Sequence, residues 1–179
     1  MNTQVTMRRA SDLAFLGNVL LTRPPSVGEF IALLDYSQPS PVPMKHGQDW
    51  GPFRVKSMEA TEDMLDAKVL VERGTKLPDA IQRFVHLVNR GHASATWNRG
   101  YGLLRVWMPR GSGIDNPSDE CLEAFSLAST QGQGRVPEVG ESLRGSGSVT
   151  LFPVTDVIHI ANPKRVCAEV WTRAFGATP

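Results

Sequence analysis

Residues 67–108 read AKVLVERGTKLPDAIQRFVHLVNRGHASATWNRGYGLLRVWM, and three kinds of hydrophobic spacing succeed one another within them. Ala67, Val69 and Val71 alternate with Lys68, Leu70 and Glu72, the period of two that marks a half-buried strand. Arg73, Gly74 and Thr75 turn the chain. Pro78 suits a first helical turn with Asp79 beside it. Ala80, Ile81, Phe84, Val85 and Val88 then recur at helical spacing until Gly91 stops the element. Residues 94–97 and 101–108 are strand-like runs around Asn98, Arg99 and Gly100, a three-residue hairpin loop with glycine where a positive φ is needed.

On the N-terminal side, Leu13, Phe15, Leu16, Val19 and Leu20 suit either a short helix capped by Ser11 or a buried strand. Residues 22–25 stop that element. Ser26 with Glu29 three positions later is a capping box ahead of Phe30, Ile31, Leu33 and Leu34, which predicts a helix. Its apolar face would dock on the domain or on a neighbouring subunit, so Phe30, Ile31 and Leu34 are the candidates for self-association. Residues 38–43 hold three prolines, an extended connector that cannot enter a sheet interior. They divide the chain into an N-terminal arm and helix, 1–45, and a single domain, 46–179.

Just ahead of the quoted stretch Phe53–Val55 already reads as strand, and the remaining elements lie on its C-terminal side. Asn116 and Pro117 open a second amphipathic helix through Cys121, Leu122, Ala124, Phe125, Ala128 and Ser129. Residues 138–148 are polar and glycine-rich, and 149–160 form a strand interrupted at Pro153. Residues 163–175 fit a capped helix ending at Gly176, although 166–171 also alternates as a strand, and the helix is favoured. The sum is an α+β fold: a small mixed, largely antiparallel sheet, three to four short helices and an extended N-terminal arm.

Sixteen Gly and 13 Pro among 179 residues imply many turns and exclude long uninterrupted helices. Cys121 and Cys167 form no C-x-x-C pair, so neither a zinc site nor a disulfide framework is expected, and the reading is a reducing compartment. Asp12, Gly17 and Asn18 interrupt any leader-like run after Arg8 and Arg9, and no stretch approaches the ~20 apolar residues of a membrane span.

Formal net charge is only +1, yet residues 80–113 contain Arg83, Arg90, Arg99, Arg105 and Arg110 with His86 and His92 and no Asp or Glu. Trp97, Tyr101 and Trp107 lie among the arginines. Fixed positive charge beside flat apolar rings attracts phosphate backbones and exposed bases. Arg83, Arg90, Arg99, Arg105, Arg110, Trp97 and Tyr101 are therefore the candidate contacts to an anionic partner. The bland alternative is that the arginines are solubilising and the tryptophans are core or cross-strand residues.

Catalytic signatures are sparse. His92-Ala93-Ser94 resembles one of the paired H-x-[ST] units of two-histidine phosphodiesterases, but His159-Ile160-Ala161 has alanine where the second hydroxyl belongs. Gly111-Ser112-Gly113 and Gly145-Ser146-Gly147 lack nucleophile-elbow spacing, and His46 with Asp49 is too sparse for a metal. The expectation is a non-enzymatic protein without cofactor, metal or small-molecule substrate. A phosphodiesterase using His92, or an inhibitor that caps a nucleic-acid-binding site, is the alternative.

The order of elements, a Pro-containing arm, the strand at Ala67–Glu72, the helix from Pro78 to Arg90, the aromatic hairpin and the strand at 149–160, resembles the layout of matrix proteins of negative-strand RNA viruses, particularly rhabdovirus-like ones, over residues 50–160. The arm carries neither P-P-x-Y nor P-[ST]-A-P. The resemblance implies a protein of the virion and host cytoplasm that forms homo-oligomers, binds ribonucleoprotein or RNA, and bridges it to an anionic membrane or envelope.

Overall fold

The structure is a computed structural model describing residues 3–21, 23–35, 42–61, 64–89, 103–109, 120–126, 136–144, 151–161 and 166–172. Its strands are β1 (Thr3–Arg9), β2 (Phe15–Leu21), β3 (Phe30–Ala32), β4 (Leu34–Asp35), β5 (Val42–Pro43), β6 (Phe53–Ala60), β7 (Leu65–Val71), β8 (Leu103–Pro109), β9 (Glu120–Ser126), β10 (Ser142–Arg144), β11 (Leu151–Ala161) and β12 (Val166–Thr172). A 3-10 turn at Gly74–Lys76 leads into α1 (Asp79–Asn89), the one α-helix among the described residues.

Ten strands form one mixed sheet in the order β2-β1-β7-β6-β3-β11-β12-β8-β9, with β10 also paired to β11. β4 and β5 make a separate two-stranded ribbon. The seven strands from β2 to β12 curl into a half-barrel, and the Cα atoms of β2 and β11 approach within 8 Å although no ladder joins them.

β3 lies at the middle of the strand order and is buried on both faces. Phe30, Ala32 and Leu34 point to one face, where they pack with Ile158 and Ile160 of β11 and with Leu77, Ile81 and Phe84 from α1 and its approach. Ile31 and Leu33 point to the other, into the concave interior with Val5, Met7, Val19, Leu21, Phe53, Val55, Ala67, Val69 and Ala161. A strand buried on both faces needs an unbroken apolar run, which Phe30 to Leu34 supplies. Trp50 meets Phe84 edge to face, with centroids 6.1 Å apart.

The α+β expectation is overturned: the protein is mostly β, with one described helix in place of three to four. The helix predicted after Ser26 is a tight turn followed by β3. Half of the capping box does form, because Glu29 accepts the Ser26 N–H at 2.9 Å, but a five-residue run that is apolar on every side buries better between two layers than on a helix. The helix predicted from Asn116 contains β9, laddered antiparallel to β8 from Leu103↔Ser126 to Pro109↔Glu120. The C-terminal helix contains β12, held by β11 on one side and β8 on the other, with Ala168 and Val170 fully buried at alternate positions.

Nor is residues 3–35 an arm. β1, β2 and β3 are strands of the main sheet, and their side chains fill its interior. The strands expected at Phe53–Val55, Ala67–Glu72, 101–108 and 149–160 and the helix at 78–90 are found as β6, β7, β8, β11 and α1.

Candidate functional site

Two places in the half-barrel concentrate polar chemistry. The first is its seam. Arg23 leaves β2, Glu29 enters β3 and His159 sits on β11, and all three are buried at 7%, 2% and 1% exposure. Arg23 uses every N–H it has: Nε donates to the Val136 carbonyl (2.7 Å), Nη1 to the Pro24 carbonyl and Glu29 Oε2 (3.0 Å each), and Nη2 to Glu29 Oε1 (2.7 Å) and the Pro137 carbonyl (2.8 Å). A lysine could not replace this fork.

Glu29 Oε2 also accepts the Ser26 N–H, and it lies 2.8 Å from His159 Nε2. Burial alone would raise the Glu29 carboxyl, but hydrogen bonds from His159 and Arg23 outweigh it and hold the group at about 2, down from 4.5. An ionised carboxylate only accepts, so His159 carries its proton on Nε2. Burial lowers the imidazole below its ordinary 6.5 despite the opposing pull of Glu29, and the Arg23 charge adds to the lowering, so His159 is neutral at pH 7. The group is a latch. It ties β2, β3, β11 and the Val136–Pro137 segment across a gap that no backbone ladder closes.

The second place is the mouth of the half-barrel, a cavity of about 550 Å³ walled by Leu16, Leu33, Phe53, Leu70 and Val71 and rimmed by Arg9, Ser11, Gln48 and Asp49. The rim charges are neutralised in pairs: Arg9 Nη1 meets Asp12 Oδ2 at 3.0 Å, and Arg73 Nη2 meets both Asp49 oxygens at 2.8 and 2.9 Å. Gln48 Nε2 donates to the Leu16 carbonyl at 3.3 Å. Beside this mouth stands the β1–β2 hairpin tip, closed by Arg9 N–H to Ala14 C=O and Leu13 N–H to Arg9 C=O. Leu13 has φ 59°, the only positive value at a non-glycine among the described residues, and its side chain is 51% exposed. Phe15, two residues on, is 58% exposed.

A smaller polar cluster lies on the helix side. Arg54 Nε is 3.0 Å from Glu72 Oε2, and the guanidinium sits 4.9 Å over the Phe30 ring. Burial raises the Asp156 carboxyl above its ordinary 3.8, against the Thr155 hydrogen bond and the Arg54 charge, with Asp79 adding to the rise.

Of the candidate anion contacts, Arg83 is half-buried on α1 and already engaged in an interaction. Arg105 lies on β8, where the backbone register sets it beside Glu169 of β12 and Ala124 of β9. Arg90, Arg99, Arg110, Trp97, Tyr101 and His92 fall outside the described residues. Phe30, Ile31 and Leu34, named above for self-association, are at most 1% exposed and belong to the chain's own core. His159 is sealed and held by Glu29, so it offers no second histidine to a phosphodiester. Among the described residues no group of three or more His, Cys, Asp or Glu could hold a metal, and no described helix is long and apolar enough to cross a membrane.

Sequence reading missed the latch. One signal was present: His159 interrupts the apolar run Val157–Ile160, and a polar group in such a run must find a partner inside the fold. Comparison with known proteins finds no matching family model, curated protein or solved structure.

Proposed function

We propose that this chain is a non-enzymatic assembly protein that works by associating with copies of itself. The observation that carries the reading is the set of exposed apolar residues on the sheet's terminal strand and the turn before it. Among the described residues β2 ends the strand order, its sequence Phe15–Leu21 contains neither charge nor proline, Phe15 and Leu20 are exposed on it, and Leu13 is exposed at the turn before it. Edge strands that must stay single carry lysines, prolines or inward charges. This one has only a bulge opposite Met7 and Arg8. Support also comes from the latch, whose buried Arg23, Glu29 and His159 bind one another and nearby backbone groups, the work of a structural brace.

The finer reading is a matrix-like protein of a virus particle that bridges ribonucleoprotein or RNA to an anionic membrane or envelope. It rests on the acid-free basic sequence of residues 80–113, where Arg105 would be a phosphate contact. Sedimentation velocity over a range of protein concentrations, at low and high salt, tests the core of the proposal. Oligomers that grow with concentration support it, and a single monomeric species at every concentration and salt sinks it. An RNA-binding isotherm whose salt slope is unchanged by Arg105→Ala would remove the finer reading alone.

A further inference from the structure

We infer that the latch is an acid-operated clasp: in mild acid a proton taken up by His159 opens the seam between β2 and β11 while the rest of the sheet stays folded. Self-association plays no part in it. Along the order β2-β1-β7-β6-β3-β11 every pair of neighbours is joined by backbone hydrogen bonds, whereas β2 and β11 share no ladder. The polar closure of that gap falls to side chains: Arg23 just past β2, Glu29 just before β3 and His159 within β11, with the Val136 and Pro137 carbonyls accepting from Arg23. Arg23 and Glu29 already form a buried pair of zero net charge.

A neutral imidazole fits this cluster because it adds a donor and no charge. Protonated, it would leave a net positive charge at a site where His159 is 1% exposed. The charged groups that act on His159 are Glu29, from the approach to β3, and Arg23, from the end of β2; β12 sets Ala168 beside it, and residues 136 and 137 supply only carbonyls. Among the described residues no second carboxylate acts on it to balance the added proton. Glu29 by itself favours the imidazolium, but burial, helped by Arg23, prevails. Once the seam parts, water reaches the ring and its ordinary 6.5 applies. The open seam then takes a proton that the closed one refuses, and each pH unit below 6.5 favours opening by up to about tenfold. The change is local, because the β1–β7 ladder from Val5↔Leu65 to Arg9↔Val69 still holds the β1–β2 hairpin to the sheet, and α1 packs on the opposite face of β3. Opening uncovers the core at Leu21, Ile31 and Ala161, each two residues from a latch group.

The test is amide hydrogen exchange on the full chain, resolved by nuclear magnetic resonance at about pH 7.5 and about pH 5.5 and corrected for the intrinsic chemistry of exchange. The reporter is residues 23–29, where the Ser26 amide is bonded to Glu29 Oε2, and the reference is the interior of β7. The seam should exchange ahead of β7, through an opening of its own, and that opening should grow severalfold, up to about tenfold, at the lower pH. His159→Gln keeps an N–H for Glu29 and cannot titrate, so its seam should open equally at both values. The ring carbon resonances of His159 in the wild-type chain give a second reading that needs no variant, and they should titrate below 6.5. Seam amides that exchange only as slowly as β7, an opening that does not grow in acid, growth that survives in a folded His159→Gln chain, or a His159 ring that titrates at or above 6.5 would each overturn the clasp.

Discussion

Replacing Glu29 by glutamine would keep the shape of the latch and remove its negative charge. Arg23, at 7% exposure, would then hold a buried charge with no counter-ion. Breaking a buried pair from one side typically costs ~3–5 kcal/mol. The linkage route gives a similar figure: a carboxyl lowered from 4.5 to about 2 corresponds to about 3 kcal/mol of stability at neutral pH. For a chain of this size each kcal/mol moves the melting temperature by ~2–4 °C, so Glu29→Gln should lower it by ~6–20 °C. Urea unfolding followed by circular dichroism reads the same loss as a lower midpoint with an unchanged slope.

Combining Glu29→Gln with Arg23→Met removes both charges, and this double variant should recover at least half of the deficit, because the penalty lies mostly in the orphaned guanidinium. A single variant within ~1 kcal/mol of wild type, or a double variant worse than the single, would refute the latch as the closure of the seam.

Other outcomes follow from the same structure. His159 has a folded pKa below 6.5, so the unfolded chain binds its proton more readily and stability should fall as pH drops through 6.5; His159→Gln should abolish that step in a pH series of urea midpoints. The Glu29 contribution is complete above pH 4.5 and should disappear as pH falls toward 2. Asp156 is shifted the opposite way: its raised pKa favours folding only below 3.8 and becomes a liability at neutral pH, so Asp156→Asn should raise the melting temperature at pH 7 and have no effect at pH 3. Phe84→Ala should cost ~3–5 kcal/mol, since Phe84 is fully buried between α1 and the sheet. Gly51→Ala should destabilise measurably, because a Cβ there would stand 2.8 Å from the Phe53 ring and backbone nitrogen on a φ of +105°.

The places where the sequence could be read without the fold are those where one spacing excluded the other. Alternation over Ala67 to Val71 could only be a strand, and Ile81, Phe84, Val85 and Val88 behind Pro78 could only be a helix. Short apolar runs had no such asymmetry. Phe30 to Leu34 satisfies a helix by its capping box and a central strand by its continuity, and the choice depended on whether two layers existed to cover it. Val166 to Thr172 was decided likewise, by the vacant edges of β11 and β8.

The amino-acid sequence on its own determined the local periods, the turns and the charge of residues 80–113, because these depend on neighbours a few positions apart. Tertiary structure alone decided that β1, β7 and β6 lie between β2 and β3, that Arg23 and Glu29 meet His159 more than a hundred positions away, and that a strained leucine stands beside an apolar mouth. Such pairings depend on which sheet edge each strand finds. That is a property of the whole chain's burial, which no window of sequence contains.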